Sequence, residues 1–222
     1  HFNDNYLSYT GGSTDFLGFD DGSRKNTIAN SFLGNTFDPR LNQTESGLNL
    51  VNRISNQFNP QMAPQVSNSG MNFGLGISYG NQFNFENGHA FGVLGSISYK
   101  SEQTVYENAQ DNIFNFSPDK SVSSFEENRI QSGTIGGQNI IASTLLGMTY
   151  KTNSSKFKFN GLHIQNGQST SGSFRQLTRF SDFIDFNKFN LEYNERSISN
   201  GMLSGLHNFE ESNLKLEWTL SG

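Results

Sequence analysis

MNFGLGISYG, residues 71–80, decides the fold. Met71, Phe73, Leu75, Ile77 and Tyr79 take alternate positions, and Asn72, Gly74, Gly76, Ser78 and Gly80 fill the gaps. A β-strand sends successive side chains to opposite faces, so five large apolar groups share one face and small or polar groups share the other. Glu86, Asn87 and Gly88 follow as a tight turn, since Asn-Gly tolerates positive φ. The next strand is expected from Ala90 to about Tyr106. It carries Phe91, Val93, Ile97 and Tyr99 on one face and Gly92, Ser96, Ser98 and Lys100 on the other.

The same period returns further along. A long polar segment, 107–139, leads to Ile140, Ala142, Thr144, Leu146, Met148 and Tyr150 on one face. Thr152 to Ser155 form a short turn, and Lys156 to Gln168 the returning strand. Phe157 and Phe159 have one parity, Leu162 and Ile164 the other, which predicts a bulge near Gly161. A second long segment runs to about Asn187. A strand from Phe189 to about His207, a turn through Asn208 to Ser212, and a last strand with Leu214, Leu216, Trp218 and Leu220 opposite Lys215, Glu217 and Thr219 complete the pattern. Short turns alternate with long polar segments, the asymmetry of outer-membrane barrels, whose short turns are periplasmic and whose long loops face outward. A β-sandwich has short strands without that asymmetry. The expected fold is therefore all-β, about six strands of a transmembrane antiparallel β-barrel. Single-chain barrels start at about eight strands, so these six form part of a larger wall. Met71, Phe73, Leu75, Ile77, Tyr79 and Trp218 are expected to face lipid.

Composition supports this class. The 222 residues are 33% hydrophobic and 16% charged, with 21 Phe, 23 Gly, 29 Asn and no Cys. So many aromatics argue against disorder. No apolar run approaches the roughly 20 residues of a membrane-spanning helix. The absence of Cys excludes a disulfide or thiolate framework, and the net charge of −5 gives no reason to expect nucleic acid. Barrel strands spread their apolar residues over alternate positions, which keeps mean hydropathy low.

Residues 1–65 read differently from 66–222. Asn5 to Tyr9 suit a short strand, Thr10 to Arg24 a Gly- and Asp-rich loop, and Leu50, Val51, Ile54 and Phe58 recur at helical spacing until Pro60 and Pro64 stop the helix. The chain starts at His1 without a signal segment and stops just after a strand-like run, so it reads as an internal piece of a longer protein, or as the only ordered part of one.

The stretch DNYLSYTGGSTDFLGFDDGSR resembles the plug-to-barrel junction of TonB-dependent outer-membrane receptors of the Bacteroidota type. Gly11, Gly12, Asp15, Phe16, Leu17, Gly18, Phe19, Asp20, Asp21 and Gly22 carry the resemblance. ISNQFNPQMAP, ENRIQSGTIGGQNIIASTLLGMTYK, the region around Gly167 and Ser169, and LEYNERSISNGMLSG are similar to the same group in the same order. The resemblance implies a 22-stranded barrel in the outer membrane of a Gram-negative bacterium. It also implies a plug ending within residues 1–65, barrel strands over 66–222, and active uptake of a nutrient or metal chelate. The implied partners are the TonB energy-transducing complex, membrane lipid and lipopolysaccharide, and a surface lipoprotein lid.

No enzyme chemistry is legible. His1, His89, His163 and His207 lack metal-ligand spacing. Gly133, Gly136 and Gly137 lack the setting of a phosphate loop and are expected to ease an irregular loop into a strand. No nucleophile elbow occurs, and no cofactor is expected. In the loop with Gly18 and Gly22, Asp15, Asp20 and Asp21 suit either a hard cation, which wants about six oxygen ligands, or a joint fixed through Arg24 or Lys25. Asn72, Lys100, Lys215 and Glu217 either line a solute route or hydrate the wall. Phe114, Phe116, Phe125, Phe180, Phe183 and Phe186 either meet a sugar or lid protein, or anchor the outer loops. Three functions compete: an active importer, a non-transporting receptor-like barrel serving as scaffold in a larger outer-membrane assembly, and a soluble β-sandwich adhesin.

Overall fold

The chain is described by a computed structural model over residues 3–24, 43–56, 60–116, 123–179 and 183–222. In chain order it forms β1 (Tyr6–Ser8), helix α1 (Glu45–Ser55), β2 (Gln65–Ser67), β3 (Phe73–Asn84), β4 (Ala90–Gln110), β5 (Ile113–Phe116), β6 (Phe125–Lys151), β7 (Ser155–Arg179), β8 (Phe183–Phe209) and β9 (Leu214–Ser221). β1 and β2 make a small ribbon. The rest is one antiparallel sheet in the order β3-β4-β6-β7-β8-β9, with β5 added beside the outer half of β6. The fold is all-β, and the sheet is not closed.

The six alternating runs all form strands, and the turn at Gly88 uses its positive φ of 80°. The helix starts where Thr44 caps the amide of Gly47 at 3.1 Å, and it buries Ile54. Phe58 lies outside the described residues.

Two expectations are corrected. The segments 107–139 and 169–187 are for the most part not loops. β4 stays paired with β6 out to Gln110 and Ser132, and β7 with β8 out to Arg179 and Phe183. A ladder needs only backbone donors and acceptors, so these strands run on where the apolar alternation that announces them has faded. There is also no bulge at Gly161, because the β6–β7 and β7–β8 ladders are continuous there. Leu162 and Ile164 point to the opposite face from Phe157 and Phe159, and Ile164 pairs with Ile198. The register shift falls instead between Tyr106 and Ala109, where Asn108 has φ 56°.

Very little of the sheet is covered. Among the described residues the buried hydrophobic side chains are Tyr6, Leu7, Ile54 and Ile140, whereas Leu75 is 69% exposed and Ile77 78%. Soluble monomers rarely expose apolar patches this large. Phe83, Phe91, Tyr150, Phe157, Gly205 and Trp218 are paired in turn across six strands, close to the short turns. Phe83 stacks on Phe91 at 6.4 Å. The Trp218 ring lies over Gly205, donates from Nε1 to His207 Nε2 at 3.0 Å, and meets Phe157 edge-on at 6.5 Å.

Candidate functional site

Register decides what shares a face with that row. Directly paired residues lie on the same side of a sheet, and each step of two along a strand stays there. Leu75, Tyr99, Ala142, Gln165 and Ser197 form a second row, eight residues from the first along both β3 and β4. No register shift falls between the two rows, so Phe73, Leu75, Ile77, Tyr79 and Trp218 occupy one face with Tyr99 and Gln165. Met71 precedes β3 and is exposed. Gly74, Gly76, Ser78, Lys100 and Ile198 lie on the other face. There Ser78 meets Ser96 at 2.8 Å, and Ser98 meets Ser143 at 2.7 Å.

The N-terminal unit is seated on the first of these faces. A single 3-10 turn, Asp15–Leu17, ends at Gly18, whose φ of 83° suits glycine. The Gly18 carbonyl accepts from Gln165 Nε2 at 2.7 Å, and the same amide group donates to Glu195 Oε1 at 2.9 Å. Glu195 Oε2 in turn accepts from the Asp20 amide at 2.9 Å, and Tyr99 Oη donates to the Phe16 carbonyl at 2.7 Å. Gln165 is 1% exposed, yet its Oε1 has no partner among the described residues, and neither does the buried hydroxyl of Tyr193. An unsatisfied buried group costs about 1–3 kcal/mol, so the seat depends on the charged contacts beside it.

Arg24 supplies those contacts. Its Nη1 donates to Asp15 Oδ1 at 2.8 Å and to Asp20 Oδ1 at 2.9 Å, and Nη2 pairs with Asp15 Oδ2. Its Nε donates to Tyr9 Oη at 3.2 Å, and the guanidinium lies 4.1 Å over the Tyr193 ring. Burial works against its charge, but the bonds to Asp15, Asp20 and Tyr9 outweigh burial and raise its pKa. Asp21 caps the loop, accepting from the Ser13 amide at 2.7 Å and the Ser23 amide at 3.0 Å. Hydrogen bonds from Ser23 and Ser13 hold its carboxyl well below the usual range. The three carboxylates are thus engaged by Arg24 and the loop itself, which favours the joint over the cation site. Gly22 sits in open space at φ 82°. Lys25 lies outside the described residues.

Two glycines make the seat possible, and their role is not visible in the sequence. A Cβ on Gly136 would strike the Leu7 backbone, and one on Gly167 would come within 2.6 Å of Gly18 Cα. Gly136 sits mid-strand and lets β1 lie flat on β6, which corrects the expectation that it eases a loop into a strand. Gly136→Val is expected to expel β1 while β6 stays paired. Hydrogen exchange should show protection lost at Tyr6–Ser8 and kept near Ile140.

The remaining candidates are dispersed. Lys100 pairs with Glu102 at 2.7 Å. Asn72 Oδ1 accepts from the Gln103 amide at 2.6 Å. Lys215 and Glu217 alternate with Trp218 on β9. The rings of Phe116 and Phe125 meet at a tilt, with centroids 4.9 Å apart. Phe114 and Phe186 are exposed, and Phe180 lies outside the described residues. His89 meets Tyr150, His163 meets Ser199, and His207 meets Ser155 and Trp218.

No family model, curated protein or solved structure matches the chain.

Proposed function

We propose that this chain is part of the wall of an outer-membrane β-barrel of the TonB-dependent receptor type, which imports a bulky solute. The observation that carries the reading is the exposed apolar face of the meander, bordered near the short turns by the row from Phe83 to Trp218. From Phe91 to Tyr99 the strand rises about 27 Å, or roughly 20 Å of membrane depth at the usual tilt, close to the apolar band of known barrels. Outer-membrane barrels border that band with aromatic residues. The opposite face carries Lys100, Arg196, Lys215 and Glu217 among small polar groups, with Leu94, Leu145 and Ile198 between them, and its charges suit a watery lumen. Coupling to the TonB complex and a lipoprotein lid follow from the sequence resemblance.

The short turns are then periplasmic and the far ends of β4 to β8 extracellular. Ser123→Cys should react with an impermeant thiol reagent on intact cells, and Asn87→Cys only after the outer membrane is permeabilised. The reverse pattern inverts the barrel. Import itself is tested by deleting the gene and following solute uptake with and without the proton-motive force. Uptake that persists in the deletion strain points to the scaffold role instead.

A further inference from the structure

The chain is acidic, yet four of its eight lysines gather in one place on the wall. We infer that Lys151, Lys156, Lys158 and Lys215 form an oxyanion-binding patch at the inner mouth of the lumen, and that the solute passing this wall carries phosphate or carboxylate groups. The inference rests on the barrel reading above and names the class of solute.

The ladders bring the four together. Lys151 stands directly opposite Lys156, and Lys158 is one step of two further along β7. Lys156 pairs with Leu206 and Leu206 with Glu217, while Lys215 pairs with Asn208, two residues from Leu206. These positions alternate with those of Tyr150, Phe157 and Trp218, so the lysines project from the opposite face, the one that carries Lys100 and Arg196. They lie in the rows nearest the short turns. Lys151 pairs with Ala90 at the start of β4, and Lys100 is roughly 33 Å further along that strand. Lys151, Lys158 and Lys215 are exposed, and Lys156 is half-buried.

This arrangement costs the sheet stability, because like charges directly opposite one another repel. The other cations of the wall are differently placed: Lys100, Arg129 and Arg175 each hold a carboxylate, from Glu102, Asp111 and Asp185. Among the described residues none of the four lysines makes an ion pair, either with Glu217 on their own face or with Glu86, Glu210 and Glu211 in the turns. Four positive charges therefore stand against the single carboxylate of Glu217 in these rows.

A bound oxyanion accounts for such a cluster. Lysine meets phosphate or carboxylate as a mobile point charge, and rings of lysine or arginine select anions in pores. Low-dielectric walls focus the field of the cluster into the mouth. Arg129 and Arg175 at the outer end are already neutralised, so the lumen face becomes more positive towards the periplasm and draws an anion inward. Lys156 and Lys158 are about 7 Å apart along β7, and Lys215 lies two strands away, about 10 Å. That spread suits a solute with several oxyanion groups better than one with a single charge.

The test uses the full-length protein in nanodiscs of phosphatidylcholine, whose headgroup has no net charge. Lysines are reductively methylated, and the rate at each is read by mass spectrometry with and without tripolyphosphate. Tripolyphosphate should slow Lys151, Lys156 and Lys158 severalfold and leave Lys100, on the same face but paired, unchanged. The protection should vanish in about 1 M salt, where the screening length is about 3 Å. Equal rates with and without tripolyphosphate overturn the patch. A second set of discs contains anionic phosphatidylglycerol and no tripolyphosphate. Protection by that lipid, with none by tripolyphosphate, overturns the lumenal site and assigns the lysines to headgroups of the inner leaflet. The barrel reading is followed separately through Ile77→Cys in the same discs. A thiol closed to an aqueous maleimide keeps the wall in lipid even where the lysines fail the test; an open one removes the wall reading and the patch with it.

Discussion

Ile77→Arg should destabilise the proposed barrel by about 2–4 kcal/mol, the cost of an arginine on a lipid-facing wall near mid-depth. Ile77 lies midway along the apolar run from Met71 to Phe83 and is 78% exposed, so the wall offers nothing to shelter a guanidinium. Leu75→Arg, nearer the rim, should cost less, because the cost falls towards the interface. Gly76→Arg is the control. Its side chain projects from the opposite face, where the nearest atom to a new Cβ is Ser98 Cβ at 3.9 Å. It should disturb permeation more than assembly. Urea titration of folding into vesicles measures all three. Equal tolerance of arginine at residues 76 and 77 would remove the face assignment and the membrane reading built on it.

The second large effect belongs to Arg24. It bridges Asp15 and Asp20, stacks on Tyr193, and has a side chain only 22% exposed. Arg24→Ala leaves two carboxylates facing each other over an aromatic ring. Breaking a buried pair costs about 3–5 kcal/mol; the partial exposure of this cluster places the loss at roughly 2–3 kcal/mol. That loss should appear as release of the N-terminal unit, with amide exchange rising at Leu17 and Gly18 while the β6–β7 ladder stays protected. Arg24→Lys should not restore the joint, since an ammonium is a point charge that cannot fork between two carboxylates and stack. Replacing Asp15, Asp20 and Asp21 together by Ala should release the unit in the same way. Unchanged exchange in Arg24→Ala would show that Gln165 and Glu195 hold the loop without it.

Much of this was legible in the sequence because side-chain alternation and turn chemistry are local. Met71 to Gly80 declares a strand, Asn87-Gly88 a turn, and the spacing of Leu50, Val51 and Ile54 a helix. Strand length was hidden for a physical reason. Beyond the apolar band both faces of β6 and β7 are polar, so the pattern fades at Asn139 although the backbone ladder continues to Arg129. The false bulge at Gly161 has a related origin, because at that height both faces carry apolar groups and parity misleads. The seat of the N-terminal unit was least visible. It depends on which residues stand opposite one another across four ladders, and on Gln165, Gly136 and Gly167, whose types say nothing of their contact with residues more than a hundred positions away.

The sheet has two open margins, one along the 12 residues of β3, the other along the 8 of β9 and the part of β8 before Met202 that β9 does not reach. At each, alternate backbone groups point outward with nothing to bind among the described residues. Water would solvate such a margin, but hydrocarbon would not, and each orphaned group in lipid costs several kcal/mol. In the proposed barrel the strands are therefore collective: no subset is stable in the membrane until the ring is sealed, and a break anywhere in the circumference creates two such margins at once. Assembly of the whole should be close to all-or-none, and the weakest seam in the ring, rather than the average strand, should set how long the closed form lasts.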